Sequence, residues 1–240
     1  MRALMNVCGV LIVVLAALAA RMAWTSDFDP EPSRGLKKPI LGLELAATAS
    51  EVRSVFRDPL GYRNRNVFRE LLEWDGPFII CYASLLVGLG LTAAFRRGIG
   101  GKGQAALVIA LAIGAARFDA RENRGILTLI ETRSHALTDE MAQVVRSASL
   151  AKWGCFFGAI GVISAIFLTA GTTTRGGRNL ARSAGLLFLS ASGLGAIGLI
   201  WPTMLHRALW LASLGFLTTL VMIAVWPDAL EKGHEARPAR

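Results

Sequence analysis

The sequence predicts an all-α membrane protein: a polytopic bundle of about six transmembrane helices with short surface helices on one face. Three observations lead there. The chain has 240 residues, 53% of them hydrophobic, and a mean hydropathy of +0.48, too apolar for an ordinary soluble domain. Its apolar residues are gathered into six blocks, at 4–20, 77–95, 105–118, 153–170, 184–201 and 209–226. Its six tryptophans, Trp24, Trp74, Trp153, Trp201, Trp210 and Trp226, all fall at block ends, where an interfacial aromatic belt belongs.

Five of the blocks approach the ~20 residues a helix needs to cross the hydrocarbon core. The third is shorter and has to borrow Gly103, Gln104 and the stem of Arg117, which can snorkel toward water. The whole is read as a single integral membrane domain over 1–240.

The charge distribution sets the orientation. The net charge is +9, and Arg96, Arg97 and Lys102 in one short loop with Arg175, Arg178 and Arg182 in another supply six of it. Short loops rich in Lys and Arg mark the cytoplasmic side. With six spans, both termini are then cytoplasmic, and segments 21–75 and 119–152 lie on the outer face. The first of these is balanced, with nine basic and nine acidic residues. The basic excess therefore speaks for topology and lipid contact, and no nucleic-acid partner is expected.

In chain order, Met1–Ala20 reads as an uncleaved anchor, with a signal peptide ending at Leu18-Ala19-Ala20 as the alternative. Residues 25–38 are an irregular linker rich in Pro, Gly and charge. Ile40–Leu45 alternates and reads as a short strand-like or membrane-skimming piece. Thr48-Ala-Ser-Glu51 fits a capping box, and the helix it starts should stop before Asp58-Pro59. Asn66–Trp74 is a second short helix. The two bury too little to fold by themselves, so both are placed on the membrane surface.

Asp75-Gly-Pro77 opens the second span, with Asp75 as N-cap and Pro77 in the first turn, or with Asp75 as a ligand or catalytic carboxylate. Arg96–Gly103 is a tight inner turn but no phosphate loop, because Lys102 is followed by Gly103. Gly114–Ile130 then splits its charges as a helix: Arg117, Arg121 and Arg124 form one stripe, and Asp119, Glu122 and Asn123 form the opposite one. His135, Asp139 and Glu140 follow on a surface helix, and Lys152-Trp153 opens the fourth span. Gly154, Gly158 and Gly161, then Gly185, Ser192 and Gly195, suggest close helix packing. Gly193, Gly195 and Gly198 match G-x-G-x-x-G inside an apolar span, which discounts a dinucleotide site. Cys8, Cys81 and Cys155 lie within spans at no metal-like spacing.

The run PILGLELAATASEV at 39–52, Asp75 with Phe78 and Tyr82, Asp119 with Glu122-Asn123, and Lys152-Trp153 resemble a group of bacterial polytopic inner-membrane proteins with no established function. The resemblance covers 39–153. It implies packed membrane helices with these polar positions grouped, and no activity. Glu122-Asn-Arg-Gly125-Ile-Leu-Thr-Leu is also similar to the coupling segment of some exporter permeases. That segment is cytoplasmic there, whereas charge counting puts this one outside.

The candidate site is therefore a polar cluster of Asp75, Asp119, Glu122, Asn123 and Lys152 at the outer ends of spans. Carboxylates gathered at a low-dielectric boundary repel unless a cation or Lys152 compensates. The cluster either holds a cation or a lipid headgroup amine, or pairs Asp119 and Glu122 with Lys152 and the helix arginines as a lock between spans. An enzyme acting on lipid or envelope precursors would use Asp119 or Glu122 as general base. A hydrolase would use Ser134, His135, Ser192 or His206, and a metal site His135, Asp139 and Glu140. A transporter is disfavoured because the span centres carry no ionisable residue. The sequence thus favours a non-enzymatic inner-membrane protein with no cofactor and no metal. Its partners are the bilayer and a membrane protein or second copy.

Overall fold

The computed structural model describes residues 2–25, 39–56, 63–97, 99–169 and 174–226. Among these there are helices and no strands. The α-helices are α1 (Arg2–Thr25), α2 (Pro39–Glu44), α3 (Ala49–Phe56), α4 (Arg63–Arg97), α5 (Ile99–Glu131), α6 (Asp139–Leu168), α7 (Arg175–Gly198) and α8 (Thr203–Val225). Six of them, α1 and α4 to α8, are long and apolar enough to cross a membrane. The linker at 25–38 (beyond Thr25), Asp58-Pro59 and the side chains of Arg96 and Arg97 lie outside the described residues.

The six long helices form a closed ring. Each of α4 to α8 packs on its neighbour in the chain, and α1 packs on both α4 and α8. The ring is filled by Leu85, Leu86, Leu89, Val108, Ile160, Ile163, Phe167 and Phe188, all fully buried. Small residues let the helices approach, as the glycine spacing predicts. A Cβ on Gly161 would stand 2.7 Å from Ser192 Oγ, and one on Gly185 would stand 2.8 Å from Leu168. Gly154 and Gly158 are not so tightly opposed: their nearest neighbours would lie at 4.0 and 3.5 Å.

Three helices are much longer than the expected spans. At 35, 33 and 30 residues, α4, α5 and α6 exceed the ~20 residues that match the hydrocarbon core. The excess of each lies at the same end: the start of α4, the end of α5 and the start of α6. The short third apolar block is thus the middle of a full-length helix. The helices expected at Asn66–Trp74 and over 131–150 are, for the most part, the projecting ends of α4 and α6.

Asp75 is consequently no N-cap. It sits inside α4, which runs on through Gly76 and Pro77. Pro77 removes one backbone donor, a local loss that packing of α4 against α1 and α5 outweighs.

The projecting ends and α2–α3 build a head with its own core. Val52, Val55 and Phe56 of α3 meet Phe68 of α4, Ile126 and Ile130 of α5, and Ala142 and Val145 of α6. The short helices therefore do not stand alone: α3 by itself buries little, and the projecting helix ends supply the rest of its core. The strand-like piece is helix α2. Leu41, Gly42, Leu43 and Glu44 are all buried, so the alternation there marks no exposed face. Leu41 and Leu45 wedge against Phe157 of α6 and Leu205 and Ala208 of α8, where the head joins the ring.

Backbone ends in the head are capped. Thr48 Oγ1 accepts from Glu51 N at 3.3 Å, the N-cap half of the expected box, and Glu51 reaches back one residue further, its Oε2 accepting from Ala47 N at 2.6 Å. The helix is described as far as Phe56, and Asn64 Nδ2 donates to Val55 O. Arg65 Nη1 donates to Ile130 O and Thr132 O at 2.6 and 2.8 Å, satisfying carbonyls at the end of α5.

Candidate functional site

The polar cluster assembles at the joint between head and ring. Asp119 and Glu122 lie one turn apart on α5, so both face α6, where Lys152 projects between them. Lys152 Nζ stands 3.2 Å from Asp119 Oδ1 and 2.5 Å from Glu122 Oε2. A third carboxylate comes from α2: Glu44 Oε1 lies 3.4 Å from the same ammonium. α4 joins through Tyr82, whose hydroxyl donates to Asp119 Oδ2 at 2.9 Å, and through Asp75, which accepts from Asn123 Nδ2 at 2.5 Å.

Asp75, Asp119, Glu122, Asn123 and Lys152, the five residues singled out in the sequence, are thus brought together across α4, α5 and α6. Glu44 escaped the sequence reading. Its signal is a lone acid in the apolar run Ile40–Ala46, which has no solvent face to give it.

All four charged groups in contact are deeply buried, with exposures of 7% for Glu44, 5% for Asp119, 1% for Glu122 and 6% for Lys152. Burial of charge is tolerated only with partners. Glu44 Oε2 accepts from Ser149 Oγ and Trp153 Nε1 at 3.4 and 3.2 Å. Asp119 has Tyr82. Glu122 has Lys152 at one oxygen, while its Oε1 has no hydrogen-bond donor. On the ring side the cluster rests on aromatic rings. Trp153 lies under the Lys152 ammonium at 4.6 Å, and Phe156 is set edge-on to both Tyr82 and Trp153.

The arginines do not join the lock. Arg117, Arg121 and Arg124 point from the opposite face of α5 and make no ion pair with the described residues. The expected pairing of the carboxylates with them is therefore wrong, because a helix separates i and i+2 positions by most of a half-turn. Of His135, Asp139 and Glu140, expected together on a surface helix, the last two lie in the exposed first turn of α6 and His135 does not. His135 sits in a 3₁₀ turn, Ser134–Ala136, before Thr138 caps α6. Asp139 Oδ1 instead accepts from Ala49 N at 2.7 Å, bracing α3.

Among the described residues no group of three His, Cys, Asp or Glu side chains is arranged to hold a metal. In the ion cluster the ammonium of Lys152 occupies the position a cation would take. Two of the hydrolase candidates bond elsewhere. Ser192 Oγ donates to Phe157 O at 3.0 Å, an interhelical bond. His206 Nε2 accepts from Trp210 Nε1 at 3.1 Å.

No family model, no curated protein and no solved structure matches this chain.

Proposed function

We propose that this chain is a non-enzymatic integral membrane protein whose buried ion cluster locks the head onto the ring of membrane helices. One observation carries this reading. A single buried ammonium on α6 touches carboxylates of α5 and also Glu44 of α2, so α2 cannot leave the long helices without stranding a charge. Such stranding is strongly unfavourable once water is excluded.

Charge placement supports an inner (plasma) membrane setting with both termini cytoplasmic and the head outside, because the basic residues at the end of α4 and the starts of α5 and α7 lie at the end of the ring away from it. The lock then fixes the orientation of the head, which is the surface offered to a membrane-protein partner or a second copy.

Glu122 Oε1, buried without a donor, favours a second reading in which the cluster also takes a ligand, a cation or a headgroup amine. A membrane enzyme using Asp119 or Glu122 as general base needs a substrate path to groups that are here at most 5% exposed. A small transporter needs polar groups through a ring whose centre is packed with apolar side chains.

Thermal unfolding of detergent-purified protein separates these readings. Wild type, Lys152→Met and Glu122→Gln are compared with EDTA and with added Ca²⁺, Mg²⁺ or Zn²⁺. The lock predicts a large loss of midpoint in Lys152→Met and no metal effect. A metal-dependent rise that Glu122→Gln abolishes would replace the lock by a binding site. Variants that unfold like wild type would remove the lock altogether.

A further inference from the structure

We propose that the exposed face of α5, on the side away from the ion cluster, binds the phosphate of an anionic phospholipid whose acyl chains follow the same helix into the membrane. Arg117, Arg121 and Arg124 are spaced i, i+4, i+7 and all are exposed. With Phe118 and Ala120 they line an open groove of about 470 Å³. The three guanidinium stems leave the helix over a length of about 10 Å, which suits several forks closing on one phosphodiester.

Charge and polarity across this helix are sorted. Of its three acids, Asp119 and Glu122 turn inward to Lys152, and Glu131 lies about two turns beyond Arg124 at the end of the helix, so no acid stands among the three arginines. Guanidinium matches phosphate oxygens in a two-point geometry and is more weakly hydrated than ammonium, which suits a site at the edge of the bilayer.

Toward the ring end of α5 the same face continues as Ala106, Ala110 and Ile113, all exposed, with Ile113 60% exposed. No charged residue occurs between Gly103 and Ala116. A cationic groove above a smooth apolar track fits an amphiphile; a soluble phosphate would make no use of the track. The groove lies at the end of the apolar part of α5, where a headgroup meets the hydrocarbon boundary.

The test uses the full-length protein in neutral detergent, read by native mass spectrometry and by thermal unfolding. Phosphatidylglycerol, phosphatidylcholine and inorganic phosphate are the added probes. Wild type should retain phosphatidylglycerol about tenfold over phosphatidylcholine, a difference of roughly 1.4 kcal/mol. It should show no stabilisation by inorganic phosphate at the same concentration.

The triple variant Arg117→Gln, Arg121→Gln, Arg124→Gln should lose that preference, and each single variant should lose part of it. The triple lysine variant should recover only a fraction, since it restores charge without the fork. These side chains are exposed and outside both cores, so the single variants keep the test decisive if the triple variant is poorly produced. Equal retention of the two lipids, or a preference that survives all the glutamine variants, overturns the site. Displacement of phosphatidylglycerol by inorganic phosphate overturns the lipid as its occupant.

Discussion

Removing the ammonium of Lys152 leaves Glu44, Asp119 and Glu122 facing one another without a cation. Breaking a buried ion pair from one side costs about 3–5 kcal/mol in soluble proteins, and Lys152→Met should lose stability on that scale in chemical or thermal unfolding. The loss should be non-additive. Lys152→Met combined with Glu122→Gln should be more stable than Lys152→Met alone, because one stranded charge is gone. A double variant no better than the single one would show that the charges do not act on each other. Tyr82→Phe is milder: it removes one donor from Asp119, worth about 1–3 kcal/mol when the acceptor stays buried. Most of this site was legible residue by residue. The three-residue step from Asp119 to Glu122 fixed a shared face, and Lys152 next to Trp153 marked where a cation would enter. Glu44 was only half legible: the apolar run around it marks a buried acid, but nothing in a linear sequence says that α2 brings it to Lys152.

Element by element, the errors share one cause. In the sequence a change of polarity marks the end of a span, yet α4, α5 and α6 pass through that change without a break. Asp75-Gly-Pro77 has the chemistry of a helix start, and the backbone ignores it because neighbours already hold α4 on both sides. Where local hydrogen bonds decide, sequence reasoning held. The Thr48 cap forms as expected, and Thr48→Ala should cost about 1 kcal/mol, seen as faster amide exchange over Ala49–Phe56. The contact between α5 and α6 in the head is set by Gly125, where a Cβ would stand 2.7 Å from Val145 Cγ2. Gly125→Ala should therefore destabilise the head by about 1–3 kcal/mol, and adding Val145→Ala should restore part of that. No restoration would mean that the tight approach lies elsewhere.

For the whole molecule, the consequence is a ring with a folded head at one end. Its orientation can be read directly. Cys8 and Cys81 are buried and Cys155 is half-buried, so background labelling should be weak. Glu140→Cys in the head and Asn179→Cys near the start of α7 are both on exposed positions at opposite ends. An impermeant thiol reagent on intact cells should label Glu140→Cys and spare Asn179→Cys. The reverse pattern would invert the proposed topology.

What the sequence determined by itself follows from composition and local chemistry. Apolar blocks of membrane length gave the six helices, and the spacing of Asp119, Glu122 and Asn123 with Lys152 gave most of the polar cluster, because both depend on residues near one another in the chain. Only the tertiary structure decided that the long helices project beyond the expected spans, that α2 and α3 share a core with those ends, and that Glu44 completes the cluster. Each of these depends on burial between segments distant in sequence. A helix face has no assigned environment until the partner that covers it is in place.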